Sequence, residues 1–186
     1  MMNKQSIHKS ILILGFIFQT YSVNSQTLLG NSQFYHSFSG TNFPHKIGNF
    51  EYTWPQQYDD LGKDISVSFI FDNKGTVSQY IYPSKGQNLA KHFDDYKNSL
   101  LSHKSKSKLL STDKIVTKGI SGYVSKLEFI EDLFGKEQMV LSYLYIYESL
   151  GWFVMIRCTS QIEDRALIEK EIKEYVSKMP FPTIKY

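Results

Sequence analysis

The chain has one cysteine, Cys158, among its 186 residues. A single thiol excludes an intrachain disulfide and any metal site built from several cysteines. No cysteine stands near the end of the N-terminal apolar run, so a lipid attached at a processed N-terminus is also excluded. We therefore expect a product that is not lipid-anchored.

The N-terminal apolar run, Ile11–Phe18, is far shorter than the roughly 20 residues that a membrane-spanning helix needs. It follows Lys4 and Lys9 and precedes a polar stretch that ends at Ser25. Basic, apolar and then small residues are typical of a cleavable secretory signal. We predict a signal peptide over residues 1–25 and export to the periplasm or the exterior, without a transmembrane helix. The alternatives are an N-terminal anchor and a buried helix.

Net charge is low. The formal charge is +3, and removal of the signal with its two lysines leaves +1. Proteins that bind nucleic acids concentrate positive charge, so we expect no nucleic-acid partner.

Residues 26–45 show no strand or helix periodicity, which predicts a flexible N-terminal arm. The remaining residues, 46–182, suit one domain.

Patterns that carry catalysis or bind metal are also missing. The histidines of the mature chain have no metal-ligand spacing, and Gly119–Gly122 lacks the last glycine position of a nucleophile elbow. Cys158 lies in an apolar strand pattern and is expected to be a buried, inert thiol. We expect no metal, no cofactor and no enzymatic activity. The alternative is an exported hydrolase with an unconventional site.

Segments with strand and helix periodicity fill the rest of the chain. Seven strands are predicted, at residues 50–54, 65–71, 76–82, 112–117, 123–131, 138–148 and 152–159. Helices are predicted at about 88–103 and after Ser160, each with one apolar stripe. The order βββ-α-ββββ-α with short links predicts an α+β fold with one antiparallel sheet of about six or seven strands. Strand 138–148 is apolar on both faces, which predicts a helix on each side and a three-layer α/β/α sandwich.

This order of elements resembles the PsbP-like fold superfamily, which includes PsbP, the Ran-binding Mog proteins and DcrB-type envelope proteins. The likeness covers about Lys46 to Phe181. It rests on the hairpin ISVSFIF-DNKG-TVSQYIY, the helix opening LAKHFDD, the turn at Lys118 and Gly119, and the closing helix. The resemblance implies a binding or accessory protein. Lipid-modified members carry a cysteine where this chain has Gln26, and no binding residue can be transferred.

Two surfaces are candidates for binding. Tyr143, Tyr145 and Tyr147 form a row on one face of a predicted strand, and tyrosine suits recognition surfaces. The alternative for this row is packing under a helix. Lys104, Lys106 and Lys108 lie in a basic connector, Ser102–Lys108, which is either a solvated loop or a patch for anionic membrane or polysaccharide. Together these features predict an exported, non-enzymatic accessory or binding protein of the bacterial cell envelope, with another envelope protein as its partner.

Overall fold

The computed structural model describes residues 26–29, 33–163 and 165–186. The predicted signal peptide lies outside these residues. The described part forms, in chain order, β1 (Gln26–Leu29), β2 (Gln33–His36), β3 (Thr41–Phe43), β4 (Lys46–Ile47), β5 (Phe50–Gln57), β6 (Ile65–Phe71), β7 (Gly75–Pro83), α1 (Leu89–His103), β8 (Ser105–Thr117), β9 (Ile120–Leu133), β10 (Lys136–Ser149), β11 (Trp152–Gln161) and α2 (Arg165–Lys178).

The main sheet has eight strands in the order β4-β5-β6-β7-β11-β10-β9-β8, and every neighbouring pair is antiparallel. The predicted α+β class is confirmed. The predicted count of six or seven strands is wrong, because two-residue β4 extends the sheet, and β1, β2 and β3 form a second, three-stranded sheet. Strands of two to four residues are too short to show an alternation of apolar and polar residues in the sequence.

The hairpin predicted at residues 65–82 is confirmed as β6 and β7. Asp72 and Asn73 both have positive φ, 44° and 50°, in the turn between them. Phe71 pairs with Gly75, and the register continues without interruption to Ile65 and Ile81. Asparagine and aspartate tolerate this backbone region better than most residues, so the DNKG segment closes the hairpin.

Two hydrophobic cores lie on opposite faces of the main sheet. Successive residues of β10 alternate between them: Tyr143 and Tyr145 belong to the core under α2, and Leu144 and Ile146 to the core under α1. Alternate strand residues point to opposite faces, so β10 is covered on both. Phe93 of α1 and Ile168 of α2 are buried in different cores, which gives the three layers α/β/α.

The N-terminal segment differs from the expected arm. The sequence predicts a flexible stretch over residues 26–45, yet residues 33–36 and 41–43 form strands there. Phe34 and Phe43 pack against each other with ring centroids 5.8 Å apart, and both are fully buried in the α2-side core. The folded part therefore begins before Lys46. It also continues past residue 182, because Trp152 Nε1 donates a hydrogen bond to the carbonyl of Ile184.

Two predicted boundaries also move. The strand predicted at residues 50–54 is longer, because β5 continues through Pro55 to Gln57 and its pairing with β6 shifts register between Tyr52 and Pro55. Proline is tolerated at such irregularities because its missing N–H costs no ladder bond there. The predicted basic connector, Ser102–Lys108, is not a loop, because α1 ends at His103 and β8 begins at Ser105, with only Lys104 between them.

Candidate functional site

A groove lies between α2 and the hairpin of β8 and β9. Its volume is about 400 Å³. The lining comes from both elements and from β10, namely Ile115, Val116, Thr117, Lys118, Tyr145, Lys173, Val176 and Ser177. α2 packs against β11 and β4, and the groove lies between the flank of α2 and the end of the β8–β9 hairpin.

The hairpin turn fixes one wall of this groove. Lys118 and Gly119 have φ of 51° and 79°, and Thr117 pairs with Ile120 across them. Two central residues with positive φ define the tight turn that matches the twist of antiparallel strands. Lys118 Nζ then donates a 2.8 Å hydrogen bond to the carbonyl of Met179, just beyond the end of α2. This bond ties the hairpin to the helix.

The predicted tyrosine row lies along the floor of the same region. Tyr147 is fully buried, and Tyr143 and Tyr145 are each 9% exposed. All three pack in the α2-side core, so they do not form an exposed row. Of the three, Tyr145 lines the groove. A ligand in the groove would therefore meet one tyrosine of the predicted row.

The three hydroxyl groups have different surroundings. Tyr143 Oη donates to Glu169 Oε1 at 2.7 Å, and Tyr147 Oη lies 2.9 Å from Thr117 Oγ1. Burial raises the pKa of Tyr147 to about 12, against the lowering effect of the Thr117 contact. Burial also raises the pKa of Tyr145, whose hydroxyl has no hydrogen-bond partner within the described residues. That hydroxyl is available to a ligand and stays protonated, so it can donate.

Positive charge borders the groove. Lys173 is exposed on α2 and makes no ion pair within the described ranges, and Lys118 stands on the opposite wall. Glu169, the nearest acid of α2 to the tyrosines, is instead engaged by Lys126. Hydrogen bonds from Lys126 and then Tyr143 hold the pKa of Glu169 down at about 2. The groove therefore combines apolar walls with cationic edges.

The predicted lysine patch does not form a unit. Lys104 Nζ donates to Glu131 Oε1 at 2.6 Å on the α1 side of the sheet, and Glu131 also pairs with Arg157. Lys106 and Lys108 are exposed along β8 instead. Burial of Glu131 opposes its ionisation, but Arg157 and Lys104 outweigh burial and lower its pKa. Lys104 is thus committed to a structural ion pair.

The groups that a hydrolase would need are buried or occupied. Cys158 is buried in the α2-side core, as predicted, and burial raises the pKa of its thiol. His36 Nδ1 lies 2.7 Å from Ser39 Oγ, but both residues are fully enclosed and His36 Nε2 lies 2.8 Å from the carbonyl of Gly62. In the parts of the chain that the structure covers, no three His, Cys, Asp or Glu side chains converge as metal ligands. Across the same parts, helices long and apolar enough for a bilayer are also missing.

Sequence reasoning found Tyr145 but missed the rest of the groove. Ile115, Lys173 and Val176 come from elements about sixty residues apart, and nothing in the chain pairs them. One local signal was available. Gly119 after Lys118 is a turn signal in the sequence, and it predicts that a hairpin ends there.

No protein-family model matches the chain, and no curated protein matches it by sequence. Solved structures do match. Cyanobacterial PsbP from Synechocystis sp. PCC 6803 has a TM-score of 0.52 and 10% identity, over 91% of this chain and 98% of that one. PA94 of Pseudomonas aeruginosa, a protein of unknown function, has a TM-score of 0.50 and 14% identity, over 59% and 74%. Ran-binding Mog1p of Saccharomyces cerevisiae gives 0.40 and 9%, over 73% and 97%.

At these identities the matches describe the fold alone. The alignment with cyanobacterial PsbP spans nearly the whole of both chains. The resemblance drawn from the sequence is confirmed: the chain has the PsbP-like fold.

Proposed function

We propose that this chain is an exported, non-enzymatic binding protein of the bacterial cell envelope, and that the groove between α2 and the β8–β9 hairpin is its binding site. One observation carries the proposal. The groove offers an unpartnered tyrosine hydroxyl, apolar walls and a free lysine, which is the mixture of apolar contact and oriented polar groups that binding sites use. The basic, apolar, small order of residues 1–25 supports export.

A partner protein fits this site better than the two alternatives. The membrane alternative rests on Lys104, Lys106 and Lys108 acting as one patch, and Lys104 is held by Glu131 on the α1 side of the sheet. A hydrolase would need a reactive thiol or a poised carboxylate in a cleft, and Cys158 is enclosed in the core. A groove of about 400 Å³ bordered by Lys118 and Lys173 favours a segment that carries both apolar and acidic side chains.

Affinity capture with matched variants tests the groove. Ser177 is exposed, lines the groove and donates to the carbonyl of Glu174 at 2.8 Å. Ser102 is exposed near the end of α1, on the other side of the sheet, and donates to the carbonyl of Ser99 at 3.1 Å. Ser177→Trp fills the groove, whereas Ser102→Trp adds the same side chain elsewhere.

We expect envelope proteins that bind the wild-type chain to be retained by Ser102→Trp and lost with Ser177→Trp. Equal retention by both variants, or no specific binder in repeated captures, would contradict the proposal. Export is tested separately by mass spectrometry of the protein from its native cells. The expected N-terminus is Gln26, and an intact Met1 on the purified protein would contradict cleavage.

A further inference from the structure

The outermost strand of the main sheet, β8, presents a long free edge. It has thirteen residues and closes the strand order on one side, whereas the opposite edge is β4, with two. The stretch from Ser111 to Lys114 is exposed throughout, and Val116 is 69% exposed. Two irregularities in the pairing with β9, between Ser105 and Lys108 and between Leu109 and Ser111, interrupt the first half of this edge. Ser111–Thr117 pairs without interruption and leaves a row of unpaired backbone groups that can accept another strand.

The turn geometry identifies which backbone groups of β8 face outward. Thr117 and Ile120 flank a two-residue turn, so they form a hydrogen-bonded pair. The register then runs unbroken to Ser111, opposite Lys126. Hydrogen-bonded and non-bonded pairs alternate in antiparallel sheets. The N–H and C=O groups of Val116, Lys114 and Thr112 therefore point away from β9.

The charge of this edge selects the sign of its partner. The segment Ser111–Thr117 carries Lys114 and Asp113, whose charges balance, and the excess positive charge beside it comes from Lys118 in the turn and from Lys173 across the groove. Antiparallel pairing of two copies of β8 about Lys114 would place the two Lys114 side chains opposite each other, which destabilises strand pairing. Acidic side chains on an incoming strand would meet these lysines with opposite charge.

The edge is continuous with the groove. Ile115 and Thr117 of β8 line the groove. The residues that alternate with them, Lys114 and Val116, direct their backbone N–H and C=O groups away from β9. Side chains on the α2 side of an added strand would therefore extend that groove wall, beside Lys118 and Lys173.

We infer that the segment Thr112–Val116 of β8 binds an extended acidic segment of a partner protein by strand addition. This inference rests on the proposed function and names the chemistry of the partner. The main-chain hydrogen bonds of three outward residues supply the affinity, and the lysines and the groove wall supply selectivity.

Amide hydrogen exchange followed by nuclear magnetic resonance tests strand addition directly. The probe is a synthetic peptide of alternating glutamate and valine, as long as the seven residues Ser111–Thr117. In the free protein, we expect the amides of Thr112, Lys114 and Val116 to exchange rapidly, because they point away from β9. With the peptide at about 1 mM, we expect their exchange to slow at least tenfold. A lysine–valine peptide of the same length is the charge control, and we expect it to leave them unprotected.

Two variants separate backbone pairing from charge. Lys114→Pro removes an outward N–H without removing a bond to β9, and we expect it to abolish protection. Lys114→Gln keeps the N–H and loses one charge, and we expect it to weaken binding only a few-fold. Equal peptide binding by Lys114→Pro, or no protection of the three amides by the acidic peptide, would overturn the inference.

The remaining outcomes are also decisive. If the free protein forms a dimer and Lys114→Pro makes it monomeric, then a second copy of the chain pairs with β8. That result would overturn the inference of an acidic partner segment. If envelope proteins are lost with Ser177→Trp but kept by Lys114→Pro, the proposed function stands and strand addition fails. If no envelope protein depends on Ser177 and the peptide does not protect β8, both fail.

Discussion

Tyr175 of α2 donates a 3.0 Å hydrogen bond to Gln79 Oε1 of β7, and both side chains are fully buried. Gln79 Nε2 donates in turn to the carbonyl of Pro180 at 2.8 Å. This chain of bonds joins α2, the sheet and the C-terminal tail inside the α2-side core. Satisfied buried polar groups of this kind fix one arrangement of their elements.

Removing the Tyr175 hydroxyl should therefore be costly. Tyr175→Phe leaves Gln79 Oε1 buried without a donor, and we expect a loss of about 1–3 kcal/mol in the free energy of unfolding, measured with urea. The control is Tyr143→Phe. Its partner Glu169 keeps Lys126 and Arg165, so the expected loss is smaller. Equal losses would show that the Tyr175–Gln79 bond does not anchor α2.

The ion pair on the other face predicts a second effect. Glu131→Gln leaves Arg157 without its carboxylate, and each of these side chains is only 19% exposed. We expect a loss of about 2–4 kcal/mol, somewhat less than for a fully buried pair. The control is Glu128→Gln on the same strand, with an expected change within about 0.5 kcal/mol. Urea unfolding at pH 7 measures both, and a Glu131→Gln protein as stable as wild type would contradict this role.

The same variant has a defined pH dependence. The pKa of Glu131 is lower in the folded protein than its ordinary value of 4.5. A lowered pKa means that the ionised carboxylate stabilises the fold above the ordinary pKa and that this contribution is lost as the pH falls through the folded-state value. The difference in unfolding free energy between wild type and Glu131→Gln should be constant near pH 7 and shrink below pH 4.5. A difference that grows on acidification would contradict a pKa of Glu131 that is lower in the folded protein than in the unfolded chain.

The N-terminal strands should be part of the folding unit. Phe34→Ala removes a fully buried ring, and we expect a loss of about 3–5 kcal/mol. Phe38, in the turn between β2 and β3, is 37% exposed, so Phe38→Ala is the matched control with an expected loss below about 1.5 kcal/mol. Thermal unfolding of both variants gives the comparison. A Phe34→Ala protein as stable as the control would restore the flexible arm that the sequence predicted.

How much of this fold the sequence predicts depends on the burial of each segment. β10 is apolar on both faces, and that pattern alone predicts cover by a helix on each side. β2 and β3 escaped prediction because three or four residues carry too little alternation, although Phe34 and Phe43 are fully buried. The start of β8 was not predicted either. Its first residues are largely exposed, so the sequence shows no apolar face that would indicate a strand.

The binding site was only partly predictable. The sequence places Tyr143, Tyr145 and Tyr147 on one face of their strand, and all three pack in the α2-side core. The position of α2 determines that Tyr145 is the one that lines the groove. That position depends on packing between Ile168, Ile172 and the sheet, which local sequence does not specify. The free edge of β8 is likewise a property of strand order, and strand order follows from the whole topology.

Thiol reactivity gives a further test of the enclosed core. Native Cys158 should not react with a thiol reagent until the protein unfolds, because burial keeps the thiol protonated and inaccessible. Ser177→Cys places a second thiol on an exposed groove position, and we expect that thiol to react rapidly in the same sample. Labelling is followed by mass spectrometry. Fast reaction of wild-type Cys158 would favour the hydrolase alternative.

Photo-cross-linking in the native cells tests the groove most directly. p-Benzoylphenylalanine is introduced at Ser177 in the groove and, as a control, at Asp94 on the exposed face of α1. The account predicts a discrete cross-linked protein partner from Ser177 and none from Asp94. The same adduct from both positions, or adducts from Asp94 alone, would contradict a binding site between α2 and the β8–β9 hairpin.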